Sequence, residues 1–201
     1  MSRLPWPRVR AAFLFLLTAM TSPTEARDCN GTSWIRLEVT AGEMAGDEAA
    51  EWVEIDHDGC VLSGYPSWDT RAGVYQRTMP GSELAGLTQT LASQRIMAFD
   101  EKSARAAIEA SASKASGDSI GSTVYTISGA DQYRLMIDDG SGWKTITWRS
   151  PMLELEHRRD IAKRSGHDLD LNDLQRLVTV IEAVRRQGDH PGKTRVAETT
   201  P

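Results

Sequence analysis

The sequence predicts an α+β domain: an antiparallel sheet with two main helices packed on one face, arranged as two similar strand-strand-helix halves. Three observations carry this. Short segments alternate apolar and polar residues with period two, turn-forming Gly and Asp residues separate them, and strands followed by a helix occur twice in chain order.

The chain opens on a different kind of segment. Arg3, Arg8 and Arg10 make a positively charged start, Ala11 to Met20 is apolar except for Thr18, and Thr24-Glu25-Ala26 offers small residues for cleavage. This is the pattern of a secretory signal peptide over residues 1–26. The apolar run is about half of the ~20 residues a membrane-spanning helix needs, so the expectation is a secreted or periplasmic protein, cleaved near Ala26, with no membrane span. Val9 separates Arg8 from Arg10, which removes the twin-arginine signal. Charged residues directly before Cys29 do not fit a lipidation site.

Removing the first 26 of 201 residues leaves 175, a length suited to one core. The expected organisation is a single domain over 27–188 and a disordered C-terminal tail over 189–201. The leader holds three of the 23 basic residues and one of the 28 acidic ones, so the mature chain has 20 basic against 27 acidic residues and a net charge of −7. Nucleic acids and anionic lipids need clustered Lys and Arg, and this balance argues against both as main partners.

Trp34 to Thr40 and Trp52 to Asp56 both alternate, and the stretch between them holds Gly42 and Gly46. An antiparallel register in which residue numbers sum to 90 sets Ile35 against Ile55, Leu37 against Val53 and Arg36 against Glu54. Extended outward, it brings Cys29 close to Cys60. These are the only two cysteines, and both face an oxidising compartment, so they are expected to form a disulfide. Asp58-Gly59 marks a turn. Cys60-Val61-Leu62 restarts an extended segment, and Gly73 to Arg77 forms another strand.

Pro80 suits a first helical turn, and Leu84, Leu87 and Leu91 recur at helical spacing, which predicts a helix over Pro80 to Gln94. Asp100 is placed to cap a second helix, whose inward face from Ala104 to Ala112 offers only Ile108 beside alanines. Ser111 to Ser122 reads as a flexible connection. Thr123 to Ser128, Tyr133 to Asp138 and Trp143 to Arg149 then alternate as a three-stranded meander. The last helix has Asn172 as cap with Gln175 completing a capping box. Leu174, Leu177, Val178, Ile181 and Val184 form its buried stripe, and Gly188 ends it.

Taken together, the extended Ile35 to Val39, the Asp58-Gly59 hairpin, the Leu-spaced helix Leu84 to Leu91, the strand Lys144-Thr145-Ile146-Thr147-Trp148 and the closing helix Leu174 to Val184 form a pattern. It resembles a group of uncharacterised secreted or periplasmic bacterial domains. The resemblance implies a fold and a compartment and carries no activity. The chain departs from that group in the charged insert Pro151 to His167.

Candidate chemistry meets its structural context poorly. Gly117-Asp118-Ser119-Ile120-Gly121 matches the nucleophile-elbow pattern, but it follows a Ser- and Ala-rich segment and precedes a strand, where the elbow needs a strand-to-helix turn. In Asp56-His57-Asp58, strand alternation points His57 away from the acids. Asp168 to Asn172 has the first spacings of a calcium loop, but Asp173 replaces its glycine and Thr179 its final Glu; a helix N-terminus explains the same acids. Asn30-Gly31-Thr32 is a glycosylation sequon, relevant only to a eukaryotic secretory route.

The expected catalytic set, metal site and cofactor are therefore none. Five tryptophans remain after cleavage, and Trp68 in a turn-rich stretch near Tyr65 and Tyr75 stands out as a surface contact. The leading expectation is a non-catalytic exported domain that binds an envelope protein or a small ligand through Tyr65, Trp68 and Tyr75. The alternatives are a small secreted hydrolase using Ser119 or a metal on His57, and an inhibitor of a secreted enzyme.

Overall fold

The computed structural model describes Cys29 and residues 31–42, 50–116 and 129–197. The leader over 1–26, Asn30, the Ser119 motif and the strand expected at Thr123 to Ser128 lie outside the described residues. The α+β class holds: strands β1 (Ser33–Thr40), β2 (Ala50–Asp56), β3 (Cys60–Tyr65) and β4 (Gly73–Thr78) precede helices α1 (Gly81–Ser93) and α2 (Glu101–Ser116). After these come β5 (Gln132–Asp138), β6 (Trp143–Arg149), α3 (Pro151–Ser165), α4 (Asn172–Gly188) and β7 (Thr194–Ala197).

The strands form one antiparallel sheet in the order β6-β5-β1-β2-β3-β4-β7. Ile35 pairs with Ile55, Leu37 with Val53 and Arg36 with Glu54, the register expected from sequence. Placing Ile35, Leu37 and Val39 on one face puts them beside Ile137, Leu135 and Tyr133 of β5 as well. That face is the core side, continued by Ile146 and Trp148 of β6. Among the described residues the two halves differ: four strands precede α1, and the β5–β6 hairpin, which precedes α3, docks on β1. Of the expected meander, the β5–β6 hairpin is found, the other edge of β5 pairs with β1, and the first strand lies outside the described residues.

Helix α4 lies over β1, β2 and β3 and is flanked by α1 and α3. Its stripe Leu174, Leu177, Val178, Ile181 and Val184 is buried, as the spacing requires. Arg176 ties it to the end of α1, donating from Nε to the Gln94 carbonyl at 2.7 Å and from Nη2 to the Arg95 carbonyl at 3.2 Å. Trp148 is enclosed from the helix side: Phe99 meets it edge-on, Arg105 lies 3.9 Å over its ring, and its indole N–H donates to Glu154 at 2.8 Å. Among the described residues, no helix is long and apolar enough to cross a membrane.

Three local expectations are corrected, and the charged insert proves to be a helix. Asp100 does cap α2, accepting from the Lys102 N–H at 3.1 Å and the Ser103 hydroxyl at 2.6 Å, but the helix runs on to Ser116 through residues expected to be a loop. Alanines favour that continuation, and the Ser111 and Ser113 hydroxyls are absorbed by the Ile108 and Glu109 carbonyls. The charged insert is helix α3, started by Pro151 and seated through buried Leu155. Leu171 rather than Asn172 holds the cap position of α4. The Gln175 side chain donates to Thr179 instead of closing a capping box, and Asp170 accepts from the Asn172 backbone and side chain. Finally, Thr194–Ala197, assigned from sequence to a disordered tail, forms β7 on the edge of β4.

Candidate functional site

The β3–β4 loop and the end of α4 meet at one corner of the core face. Two successive turns shape the loop: the Asp69 N–H donates to the Pro66 carbonyl at 3.0 Å, and the Ala72 N–H to the Asp69 carbonyl at 2.9 Å. Asp69 then grips Arg71. Its Oδ1 accepts from the Arg71 backbone N–H at 2.7 Å and from Nε at 3.1 Å, and its Oδ2 accepts from Nη2 at 2.9 Å. These bonds from Arg71 hold the Asp69 carboxyl down at about 2, and the same contact raises the guanidinium above its ordinary value.

Arg71 reaches inward from there. Its Nη1 donates to Asp189 Oδ1 at 2.9 Å, its Nη2 lies 3.7 Å from Glu51, and the guanidinium sits 3.9 Å over the Tyr65 ring. On the other side, the Lys193 ammonium lies 4.1 Å from the Tyr65 ring centre and 4.7 Å from that of Tyr75. The ammonium donates to the Tyr65 hydroxyl at 2.6 Å and to the Gly188 carbonyl at 3.0 Å. Tyr65 donates to Asp189 Oδ1 at 2.9 Å, and Glu51 also takes Arg185 at 3.4 Å. Burial raises the Tyr65 phenol well above its ordinary value, and the bond to Asp189 adds to the effect. Desolvation lowers the Lys193 ammonium.

Glu51, Asp69 and Asp189 face Arg71, Arg185 and Lys193, so three carboxylates meet three cations. Such balance fastens segments together and leaves no net charge for an ion to neutralise. What the cluster fastens is plain from its members: the β3–β4 loop, the end of α4 and the approach to β7. A phenol held neutral and a lysine whose bonds are spoken for do not form a nucleophile with its base.

The three aromatic residues singled out from sequence separate. Tyr65 is 1 % exposed, so its ring belongs to the core and is no surface contact, a correction that follows from its place on the inner face of β3. Tyr75 is half-buried and meets Tyr65 edge-on, with ring centres 5.8 Å apart. Trp68 is 53 % exposed at the loop tip. Cys29 and Cys60 are joined, with α-carbons 5.7 Å apart. His57 stacks on Trp34 at 5.5 Å, and among the described residues no three His, Cys, Asp or Glu side chains converge on a metal position.

Sequence reasoning did not find Arg71, Asp189, Lys193, Glu51 and Arg185. Asp69-x-Arg71 within a turn is the one local signal; the remaining partners come from segments far apart in the chain. The fold and this corner together define a disulfide-linked α+β domain with a charge-balanced cluster beneath an exposed loop. No protein-family model matches the chain, and no curated protein is significantly similar to it.

Proposed function

We propose that this is an exported, non-catalytic domain of the bacterial envelope that binds a protein partner through the β3–β4 loop, with Trp68 as the anchor. The observation that carries the reading is the contrast between a half-exposed indole and the rigid bed below it. A large aromatic side chain held on a fixed loop loses little freedom on binding, and truncating such an anchor removes much of the affinity. The export pattern of residues 1–26 and a disulfide that persists only outside reducing compartments support the location.

An inhibitor of a secreted enzyme is the same reading with an enzyme as the partner. The test is capture from a native envelope fraction by the immobilised mature protein and by its Trp68→Ala variant. A partner retained by the first and reduced about tenfold or more with the second supports the proposal. Equal retention by both excludes Trp68 as the anchor.

A further inference from the structure

Strand β7 is attached to the sheet differently from the strands it follows. All four of its residues are exposed, and Val196, its one large apolar side chain, is 46 % exposed. Pairing sets Thr194 against Gln76, Arg195 against Tyr75 and Ala197 against Val74, with a register irregularity between the last two. Ordering such a segment costs backbone entropy that little apolar burial offsets, so its seat depends on polar contacts.

Two basic side chains supply them. Lys193 donates to the Tyr65 hydroxyl at 2.6 Å and to the Gly188 carbonyl at 3.0 Å, and its ammonium lies against both the Tyr65 and Tyr75 rings. Arg195 donates from Nη2 to the Ala72 carbonyl at 2.9 Å. Its guanidinium uses the space a side chain on Gly73 would fill, since a β-carbon there would lie 2.6 Å from Nε. The receiving groups belong to β3, β4, the loop between them and the end of α4. Take Lys193 away, and Glu51, Asp69 and Asp189 face Arg71 and Arg185 with one negative charge in excess. Beside two aromatic rings and the Gly188 carbonyl, that is a seat for an ammonium.

We propose that the β4 edge and the corner beneath it accept an extended Lys-x-Arg segment of the partner protein, and that β7 holds this seat in cis until that segment displaces it. The inference rests on the Trp68 reading and adds the chemistry of the partner. Strand addition along β4 supplies main-chain bonds, and a lysine and an arginine two positions apart share one face, as Lys193 and Arg195 do. Asp189 stays with α4 at its C-terminal cap, so the segment swings at His190-Pro191-Gly192 and the Arg71–Asp189 bond is kept. Trp68 and Ala72 lie on one loop, so a partner engaging both gains contacts that the tail lacks, and this favours it over a tethered competitor. A second copy of the chain gains nothing comparable by exchanging β7, because the exchanged strand makes the contacts it already makes.

The test titrates the full mature chain, followed by amide NMR, with the peptide Gly-Lys-Thr-Arg-Val-Ala, the sequence of residues 192–197, and with a control in which Gln replaces both basic residues. Wild type is compared with the double variant Lys193→Ala/Arg195→Ala, and circular dichroism checks that the fold is kept. The basic peptide is expected to bind the double variant about tenfold or more tightly than the wild type, because the competitor in cis has lost its hold. Binding should shift the Ala72, Gly73 and Tyr75 amides, and the control should bind neither protein. In the wild type alone, the Thr194–Ala197 amides should exchange about a hundredfold faster than those of Val61 and Ser63, a readout that needs no variant. No saturable binding of the basic peptide to the folded double variant, equal binding of the control, or β7 amides as slow as those of β3 each overturns the proposal. So does a wild-type dimer that Lys193→Ala abolishes, which assigns the seat to a second copy. Trp68 takes no part in the peptide titration, so that titration and envelope capture by Trp68→Ala can each fail without the other.

Discussion

Gly188→Ala sets two opposing effects against each other at the point where α4 meets the sheet. A β-carbon on Gly188 would lie 3.3 Å from the Ser63 β-carbon and in hard overlap with a Val53 methyl. Ordinary carbon contacts begin near 3.5 Å, so the helix end must lift by roughly 1 Å. That movement also strains the Gly188 carbonyl, which accepts from Ser63 at 3.3 Å, Tyr65 at 3.2 Å and Lys193 at 3.0 Å. Overpacking of this kind costs about 1 to 3 kcal/mol, whereas replacing a helical glycine with alanine returns at most about 1 kcal/mol, and less at a helix end. The expected net loss is about 1 to 2 kcal/mol, a fall in midpoint temperature of roughly 2 to 8 °C for a domain of this size. Urea unfolding followed by tryptophan fluorescence reads it. Adding Val53→Ala makes room for the new methyl, so the double variant is expected to lose about 0.5 to 2 kcal/mol less than the sum of the single losses. A neutral or stabilising Gly188→Ala, or strict additivity with Val53→Ala, would refute the close seating of α4 on β2 and β3.

Two further outcomes concern stability. The Cys29–Cys60 bridge spans 31 residues, so Cys60→Ser or reduction should cost about 3 to 4 kcal/mol on a chain-entropy basis; two titratable thiols in the protein purified without reductant would count against the bridge. Asp69 is held from 3.8 down to about 2 by Arg71, so its contribution is complete above about pH 4 and disappears as pH falls toward 2. The full displacement corresponds to about 2.4 kcal/mol, which solvent at the loop reduces to about 1 kcal/mol. Urea midpoints between pH 5 and 2 should therefore fall more steeply for the wild type than for Asp69→Asn, and parallel curves would remove the Asp69–Arg71 contact from the account.

Much of the fold was legible because local pattern and register agree. Alternation in Ile35 to Val39 and Val53 to Ile55 excludes every pairing of the wrong parity, and the register that sets Ile35 against Ile55 is the one found. The leucine spacing of α1 and the stripe of α4 were equally direct. Segments whose fate depends on distant partners were not legible. Thr194–Ala197 has four exposed residues and no apolar pattern, and it becomes a strand only because the edge of β4 is available. Helix α3 is so rich in charge that its one deeply buried leucine, Leu155, is hard to read as a packing face.

The candidate site divides along the same line. Exposure of Trp68 follows from its turn-rich surroundings, whereas burial of Tyr65 follows from the inner-face parity of β3, set by pairing with β2 and β4. The Lys193–Tyr65 contact joins residues 128 positions apart, and Arg71 and Asp189 are separated by 118. No local pattern encodes such encounters.

Hydroxyl-radical footprinting of the mature protein, alone and in complex with material captured from the native envelope, tests most directly whether this domain works by binding through Trp68. Trp68 should be readily oxidised in the free protein and protected about tenfold in the complex, while Trp148, enclosed in the core, reacts little in either state. A complex in which Trp68 stays as reactive as in the free protein would contradict the account.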